Sequence, residues 1–246
     1  TAVAKAAMET GVATRPLDDI DAYKAKLDES VFRSALIMRP VFEAAAGAQR
    51  RIVFAEGEDE RVLRAAHAML QETVDAPILI GRPDVIAARV ERIGLTIDAE
   101  QAFEIVNPED DPRYRDYWTT YHEMMERQGV TPDLARAIMR TNTTAIGAVM
   151  VHRGDADSLI CGTFGQYLWH LNYITQMLGT GGLHPIGALS LMLQEQGPLF
   201  VTDTQVHPEP TPEQIADTVI GAARHVRRFG VEPKIAMCSH SQFGNL

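Results

Sequence analysis

Arg51-Ile-Val-Phe-Ala-Glu-Gly-Glu-Asp-Glu-Arg-Val-Leu-Arg-Ala-Ala66 is the stretch on which the fold turns. Ile52 to Ala55 is a short apolar run without polar alternation, as expected of a strand covered on both faces. The acidic turn Glu56 to Glu60 follows. Val62, Leu63, Ala66, Met69 and Leu70 then recur at i, i+3/i+4 spacing, the apolar stripe of an amphipathic helix. Asp59 reads as the helix cap, and the other carboxylates as charges that complement the positive end of the helix dipole. A turn this acidic repels phosphate.

The alternation of strand and helix continues outward. Pro77 to Gly81 is the next apolar run, and Pro83 opens a helix at its first position, where a missing N–H costs nothing. Phe103 to Val106 is a third strand. Helices fill Arg113 to Val151, with Thr131 and Pro132 as cap and first turn. Asp157 to Cys161 is a strand, followed by Gly162-Thr-Phe-Gly165 and a helix to about Leu178. Gly179-Thr-Gly-Gly182 breaks the chain and is expected to separate two α/β units. Ile186 to Leu193, Leu199 to Thr202 and Lys234 to Cys238 read as strands. Thr211-Pro-Glu-Gln214 has the form of a capping box and starts a helix running to Phe229. The first 46 residues are helical: Ala2 to Thr10 stops at Gly11, Asp18 caps Asp19 to Asp28, and Val31 to Ala46 is interrupted near Pro40. Because the last expected strand has no covering helix, and the chain does not start at Met, a fragment of a larger protein is expected.

Composition narrows the function classes. An apolar share of 46% with 23% charged residues is ordinary globular composition. No stretch reaches the length of a membrane span, and no signal peptide is visible. The formal charge of −10 with no dense Lys/Arg cluster argues against nucleic acid. The basic residues from Arg224 to Arg228 read as the last turn of a helix, facing its negative end. Two cysteines without CxxC spacing point to a reducing, cytoplasmic setting.

Three loops follow strand C-termini, where open α/β sheets bind ligands: Gly162-Thr163, Gly179 to His184, and Ser239 to Gly244. Their small residues let backbone N–H groups approach a phosphate or thioester oxygen. There is no Walker A pattern and no intact GxGxxG. Cys238 and His240 alternate on extended chain and point apart, so Cys238 is expected to be a buried, inert thiol. His152, Asp155 and Asp157 read as a solvated loop, not a metal site. Tyr114, Tyr117, Trp118 and Tyr121 recur at helical spacing and are expected in a core or interface.

Arg51 to Ala66, Asp157 to Gly162, Phe200 to Asp203, Pro208 to Gln214 and Phe229 to Ser241 together resemble the phosphate acetyltransferases, in the right order, from about residue 50 to the end. Ala6 to Pro16, Val31 to Ser34 and Met38 to Phe42 look like the end of the NAD(P)-binding domain of bacterial malic enzymes and its connector. The combination resembles the hybrid NADP-dependent malic enzymes. That resemblance implies a phosphotransacetylase-like fold, also seen in isocitrate and isopropylmalate dehydrogenases: two doubly wound parallel-sheet units with a cleft between them, preceded by a helical connector. The implied parts are 1–46 (tail of the upstream domain plus connector), 47–180 (first α/β unit) and 181–246 (start of the second).

It implies a parent that oxidatively decarboxylates malate to pyruvate with NADP and Mg²⁺ or Mn²⁺. This fragment would hold no cofactor of its own and would bind acetyl-CoA as effector in a homo-oligomer. True phosphate acetyltransferases carry phosphate-gripping arginines where this chain has Asn172 and Met125. The family's catalytic Ser-Arg and Asp would lie beyond Leu246, so no catalytic residue is assigned. The expected effector contacts are Gly162, Thr163, Asn172, Thr180, Ser239, Ser241 and Phe243. Two other readings stay open: an active phosphate acetyltransferase, and an oligomerisation scaffold with no ligand.

Overall fold

The structure is a computed structural model and describes residues 2–45, 50–72, 76–179, 186–194 and 196–238; of residues 25–35 and 72 it describes the backbone. The chain divides into two compact units, one made of Thr1–Ala44 and Pro185–Leu246, the other of Ala45–His184.

The Ala45–His184 unit is a three-layer α/β sandwich. Its parallel sheet contains β1 (Ile52–Phe54), β2 (Ile78–Ile80), β3 (Glu104–Val106) and β4 (Ser158–Ile160), in the order β3-β2-β1-β4. Val53 aligns with both Ile78 and Leu159, and Leu79 with Ile105. Successive side chains of a strand leave opposite faces, and here each face has its own core. Val53, Ile78, Ile80 and Val106 join the core on one side. Phe54 and Leu79 join the other.

The second core is completed by α3 (Glu60–Glu72), α4 (Pro83–Arg92) and the short α5 (Ala99–Ala102), through residues such as Leu63, Ala66, Ile86 and Val90. The first core takes Tyr117, Tyr121 and Met125 from α6 (Tyr114–Met125), and Ala135 and Met139 from α7 (Pro132–Thr141). Tyr114 and Trp118 pack against it, so the aromatic ladder is core, as its spacing indicates. Burial pushes the Tyr121 hydroxyl up to about 12.

The central helix of this layer is α8 (Thr143–Arg153), whose residues Thr144 to Met150 are all buried. A helix apolar all round belongs inside. Gly147 lets it close on the sheet, since a Cβ there would meet Leu159 Cδ1 at 2.5 Å. Its packing partner is α9 (Tyr167–Leu178).

Local signals set the element ends as the sequence indicates. Thr131 Oγ1 accepts the Leu134 N–H at 3.2 Å, and Pro132 and Pro83 sit at first helical positions. Asp59 Oδ1 accepts the Arg61 N–H at 2.8 Å. The Arg61 guanidinium beside it holds the Asp59 carboxyl down at about 2.

The other unit contains α1 (Ala2–Glu9), α2 (Ile20–Ala45), β5 (Leu189–Gln194), β6 (Gly197–Thr202) and α10 (Pro212–Arg228). At the start of α10 the Thr211 and Gln214 side chains form a reciprocal capping box. Phe200 of β6 meets Phe229 at 5.2 Å between ring centroids.

Four expectations are corrected in this unit. α2 is one continuous helix, not two, and Pro40 lies inside it. A proline removes one donor, and the Arg39–Glu43 ion pair at 2.7 Å spans the position. The α2 cap is Asp19, whose Oδ1 accepts the N–H groups of Asp21 and Ala22 at 2.9 and 3.0 Å, and not Asp18. The expected parallel sheet is, among the described residues, an antiparallel ribbon pairing Leu189 with Thr202 and Gln194 with Gly197. So few residues between strands cannot make the crossover that parallel pairing needs. Nor do Lys234 to Cys238 form a strand; an apolar run becomes one only beside a partner that supplies the ladder.

Candidate ligand-binding site

The loops after the strands of the Ala45–His184 unit converge on a cleft of about 400 Å³. Ala55, Glu56, Glu58 and Asp59 come from the β1 loop, and Gly81 and Arg82 from the β2 loop. Pro108 and Glu109 follow β3, Phe164 follows β4, and Arg89, Arg140 and Thr143 come from helices. The sheet order reverses between β1 and β4. A crevice at the C-terminal edge beside such a reversal is where open α/β sheets take ligands.

Sequence reasoning missed most of this lining. Glu56 is expected only as a charge that complements the helix dipole, yet it is only 6% exposed. One carboxylate oxygen accepts the Gly162 N–H at 2.9 Å, bridging the β1 and β4 loops. The other has no partner among the described residues. Glu58 and Glu60 are also more than dipole charges, since they pair with Arg82 and Arg92. Arg82 held the one available signal: it directly follows Gly81, the small residue just past the end of β2.

The three arginines of the cleft are all engaged. Arg82 forks onto the Glu58 carboxylate at 2.9 and 3.0 Å, and the salt link holds Glu58 below the usual carboxylate range. Arg89 donates to the Glu58 carbonyl. Arg140 donates to Pro108 O at 2.7 Å and to Glu109 O, with its guanidinium 3.7 Å from the Tyr114 ring centroid. These cations brace the loops.

Of the expected effector contacts, Gly162 stands at φ +95° with its N–H held by Glu56. That positive φ suits glycine, which has no Cβ to clash. Thr163 donates nothing outward: its hydroxyl is buried without a partner among the described residues. Asn172 is an exposed α9 residue that accepts from Gln176 Nε2 at 3.3 Å and does not line the cleft. Met125 is buried in the first core. Thr180, Ser239, Ser241 and Phe243 lie outside the described residues.

One thiol reverses expectation. Cys238 is exposed, not buried, because no strand forms around it; Cys161 is partly buried. Burial and the neighbouring Glu56 charge push the Cys161 thiol up to about 11. At pH 8, iodoacetamide is therefore expected to alkylate Cys238 and leave Cys161 intact in the native protein, as read by peptide mass mapping. Equal labelling of both would contradict the placement. Asp157, once grouped with a loop, instead accepts the Arg51 N–H at 2.8 Å and fastens the start of β1. Among the described residues no three His, Cys, Asp or Glu side chains gather as metal ligands. No described helix is long and apolar enough to cross a membrane.

Residues 36–246 match the family model of the phosphate acetyl/butaryl transferases. The NAD-dependent malic enzyme of Rhizobium meliloti (strain 1021) is 54% identical over 99% of this chain and 32% of its own length. The NADP-dependent malic enzyme of Escherichia coli (strain K12) is 48% identical over the same shares. The phosphate acetyltransferase of Nitratidesulfovibrio vulgaris is 34% identical over 82% of this chain and 28% of its own. Among solved structures, a phosphotransacetylase from Streptococcus pyogenes aligns with a TM-score of 0.75 at 25% identity, covering 85% of this chain and 64% of that one. The chain spans about a third of the length of the curated relatives it matches. Sheet, crevice and sequence agree that the chain belongs to the phosphate acetyl/butaryl transferase family.

Proposed function

We propose that this chain is the acetyl-CoA-sensing and oligomerisation module of a malic enzyme, and that it does not itself transfer acetyl groups. The observation that carries the reading is the state of the cations. Phosphoryl and acyl-phosphate chemistry needs guanidinium groups free to grip an anion. The three arginines of the cleft are bonded to protein acceptors instead. Of the two positions where the resemblance implies further arginines, Met125 lies in the core and Asn172 is neutral.

In this reading the parent oxidatively decarboxylates malate to pyruvate with a nicotinamide cofactor and Mg²⁺ or Mn²⁺ held upstream of residue 1. Residues 1–46 are the tail of the upstream domain and the connector, 47–180 and 181–246 form the sensing module, and the whole works in the reducing cytoplasm. The 26-residue helix α2 is about 39 Å long and suits a stiff connector. Acetyl-CoA acts only through a difference in affinity between two states of the enzyme.

The likeness to phosphate acetyltransferases supports a second reading, in which the chain is an active transferase. One experiment separates the two. The full-length protein is assayed for malate oxidation, with NAD and with NADP, in the presence and absence of acetyl-CoA. It is assayed in parallel for acetyl-CoA formation from acetyl phosphate and CoA. Sensing predicts that acetyl-CoA changes malate turnover by about fivefold or more, the ordinary scale of allosteric coupling, with no acetyl transfer. Robust acetyl transfer would overturn it.

A further inference from the structure

Three consecutive residues of the β4 loop have their backbone groups fastened by side chains from three different elements. The Gly162 N–H donates to Glu56 of the β1 loop at 2.9 Å. Thr163 O accepts from Arg61, in the first turn of α3, at 2.7 Å. Phe164 O accepts from His170 Nε2, on α9, at 2.8 Å. Helix and strand ladders supply none of these bonds.

Two of the three fasteners are themselves fixed. Glu56 and His170 are 6% and 5% exposed. Because a carbonyl oxygen can only accept, His170 Nε2 carries the proton, and in the neutral ring Nδ1 takes the Thr144 hydroxyl at 2.8 Å. Trp169 packs edge-on against the His170 ring at 4.8 Å. The third, Arg61, is anchored by its fork onto Asp59 at 3.0 and 2.8 Å.

What this frame holds out is Phe164. The residue is 65% exposed, yet it walls both the 400 Å³ cleft and a smaller apolar hollow beside Gln166 and Trp169. A large apolar side chain left in water on a loosely held loop contributes nothing; on a rigidly held loop, beside a cleft, it is a preorganised contact.

We infer that Glu56, Arg61 and His170 are positioning residues that lock residues 162–164 so that Phe164 presents its ring as an apolar contact for the bound acyl-CoA. The inference rests on the sensing role proposed above. It assigns Glu56 a function through one oxygen only: the acceptor for Gly162. A glutamine keeps that oxygen, whereas an alanine removes it.

The test uses the full-length protein, with amide hydrogen exchange in the ligand-free state and calorimetric titration with acetyl-CoA. Glu56→Ala and Arg61→Ala are expected to speed exchange across residues 162–165 by about fivefold to tenfold, the scale of one lost hydrogen bond. Glu56→Gln should stay within about twofold of wild type. The same order should appear in acetyl-CoA affinity, with Phe164→Ala weakening it about tenfold through lost apolar contact.

Glu56→Gln behaving like Glu56→Ala would overturn the positioning role, because the charge and not the acceptor would then matter. Unchanged exchange in both alanine variants would overturn it too. If Glu56→Ala fails to fold, Arg61→Ala, at an exposed side chain, decides the question with Glu56→Gln. Wild type that fails to bind acetyl-CoA sinks the sensing reading and the role of Phe164 with it. Wild type that binds while Phe164→Ala binds equally well sinks this inference alone.

Discussion

Replacing Gly57 by alanine should cost the Ala45–His184 unit about 2–3 kcal/mol and lower its melting temperature by about 5–10 °C. The reason is backbone against backbone. Gly57 donates its N–H to Ile80 O at 3.0 Å, which draws the turn after β1 onto the end of β2. A Cβ on Gly57 would lie 2.8 Å from Ile80 O, 2.8 Å from Leu79 Cβ and 3.0 Å from Ile80 N. None of these is the far end of a flexible side chain. Leu79 and Ile80 are both fully buried, so neither strand can step back without opening a core. Relief requires the β1 loop to lift, and that loop carries Glu56 and the floor of the cleft. Gly57→Ala is therefore expected to weaken acetyl-CoA binding as well as stability. Gly221→Ala is the control, because nothing lies within 4 Å of its added Cβ inside α10, and it should raise melting by about 2–4 °C. Equal melting of the two variants would refute the close approach at Gly57.

The second large effect is at His170. Its ring bridges Thr144 on the buried helix α8 to the carbonyl of Phe164. His170→Ala leaves a hydroxyl and a carbonyl without their partner and opens a void under Trp169. Each orphaned polar group costs about 1–3 kcal/mol, so a loss of about 3–4 kcal/mol is expected in chemical denaturation. Pairing His170→Ala with Thr144→Val isolates the hydrogen bond from the packing. If the two groups act as one link, the double variant is less destabilised than the sum of the singles by about 1 kcal/mol or more. Strict additivity would show that the ring acts by volume alone.

Reading the sequence succeeds where its signals are local. The apolar run at Ile52, the acidic turn and the helical stripe through Leu63 identify a strand–turn–helix, because each signal is contained within a turn or two of chain. The same holds for Thr131 and Thr211, whose capping oxygens reach N–H groups three residues on. Gly162-Thr163 was legible as a loop that follows a strand C-terminus. Glu56, Arg61 and His170 were not legible as its support. Glu56 and Gly162 are 106 residues apart, and Arg61 and Thr163 are 102 apart. Nothing in the local pattern of an acidic turn distinguishes a solvated carboxylate from one buried under a loop that arrives a hundred residues later.

The sequence by itself determined the α/β class, the order of strand and helix from Arg51 to Leu178, and the helix starts at Glu60, Pro83, Pro132 and Pro212. Those depend on side-chain periodicity and on caps that bond their own neighbours. The tertiary structure alone decided which charges are free. Nothing in the sequence tells whether Arg82, Arg89 and Arg140 stand free for an anion; the folded loops offer them carbonyls and a carboxylate at bonding distance. It also decided that Cys238 is exposed and that α2 runs through Pro40. Burial and pairing belong to the space between elements, and that space exists only once the sheet has brought its loops together.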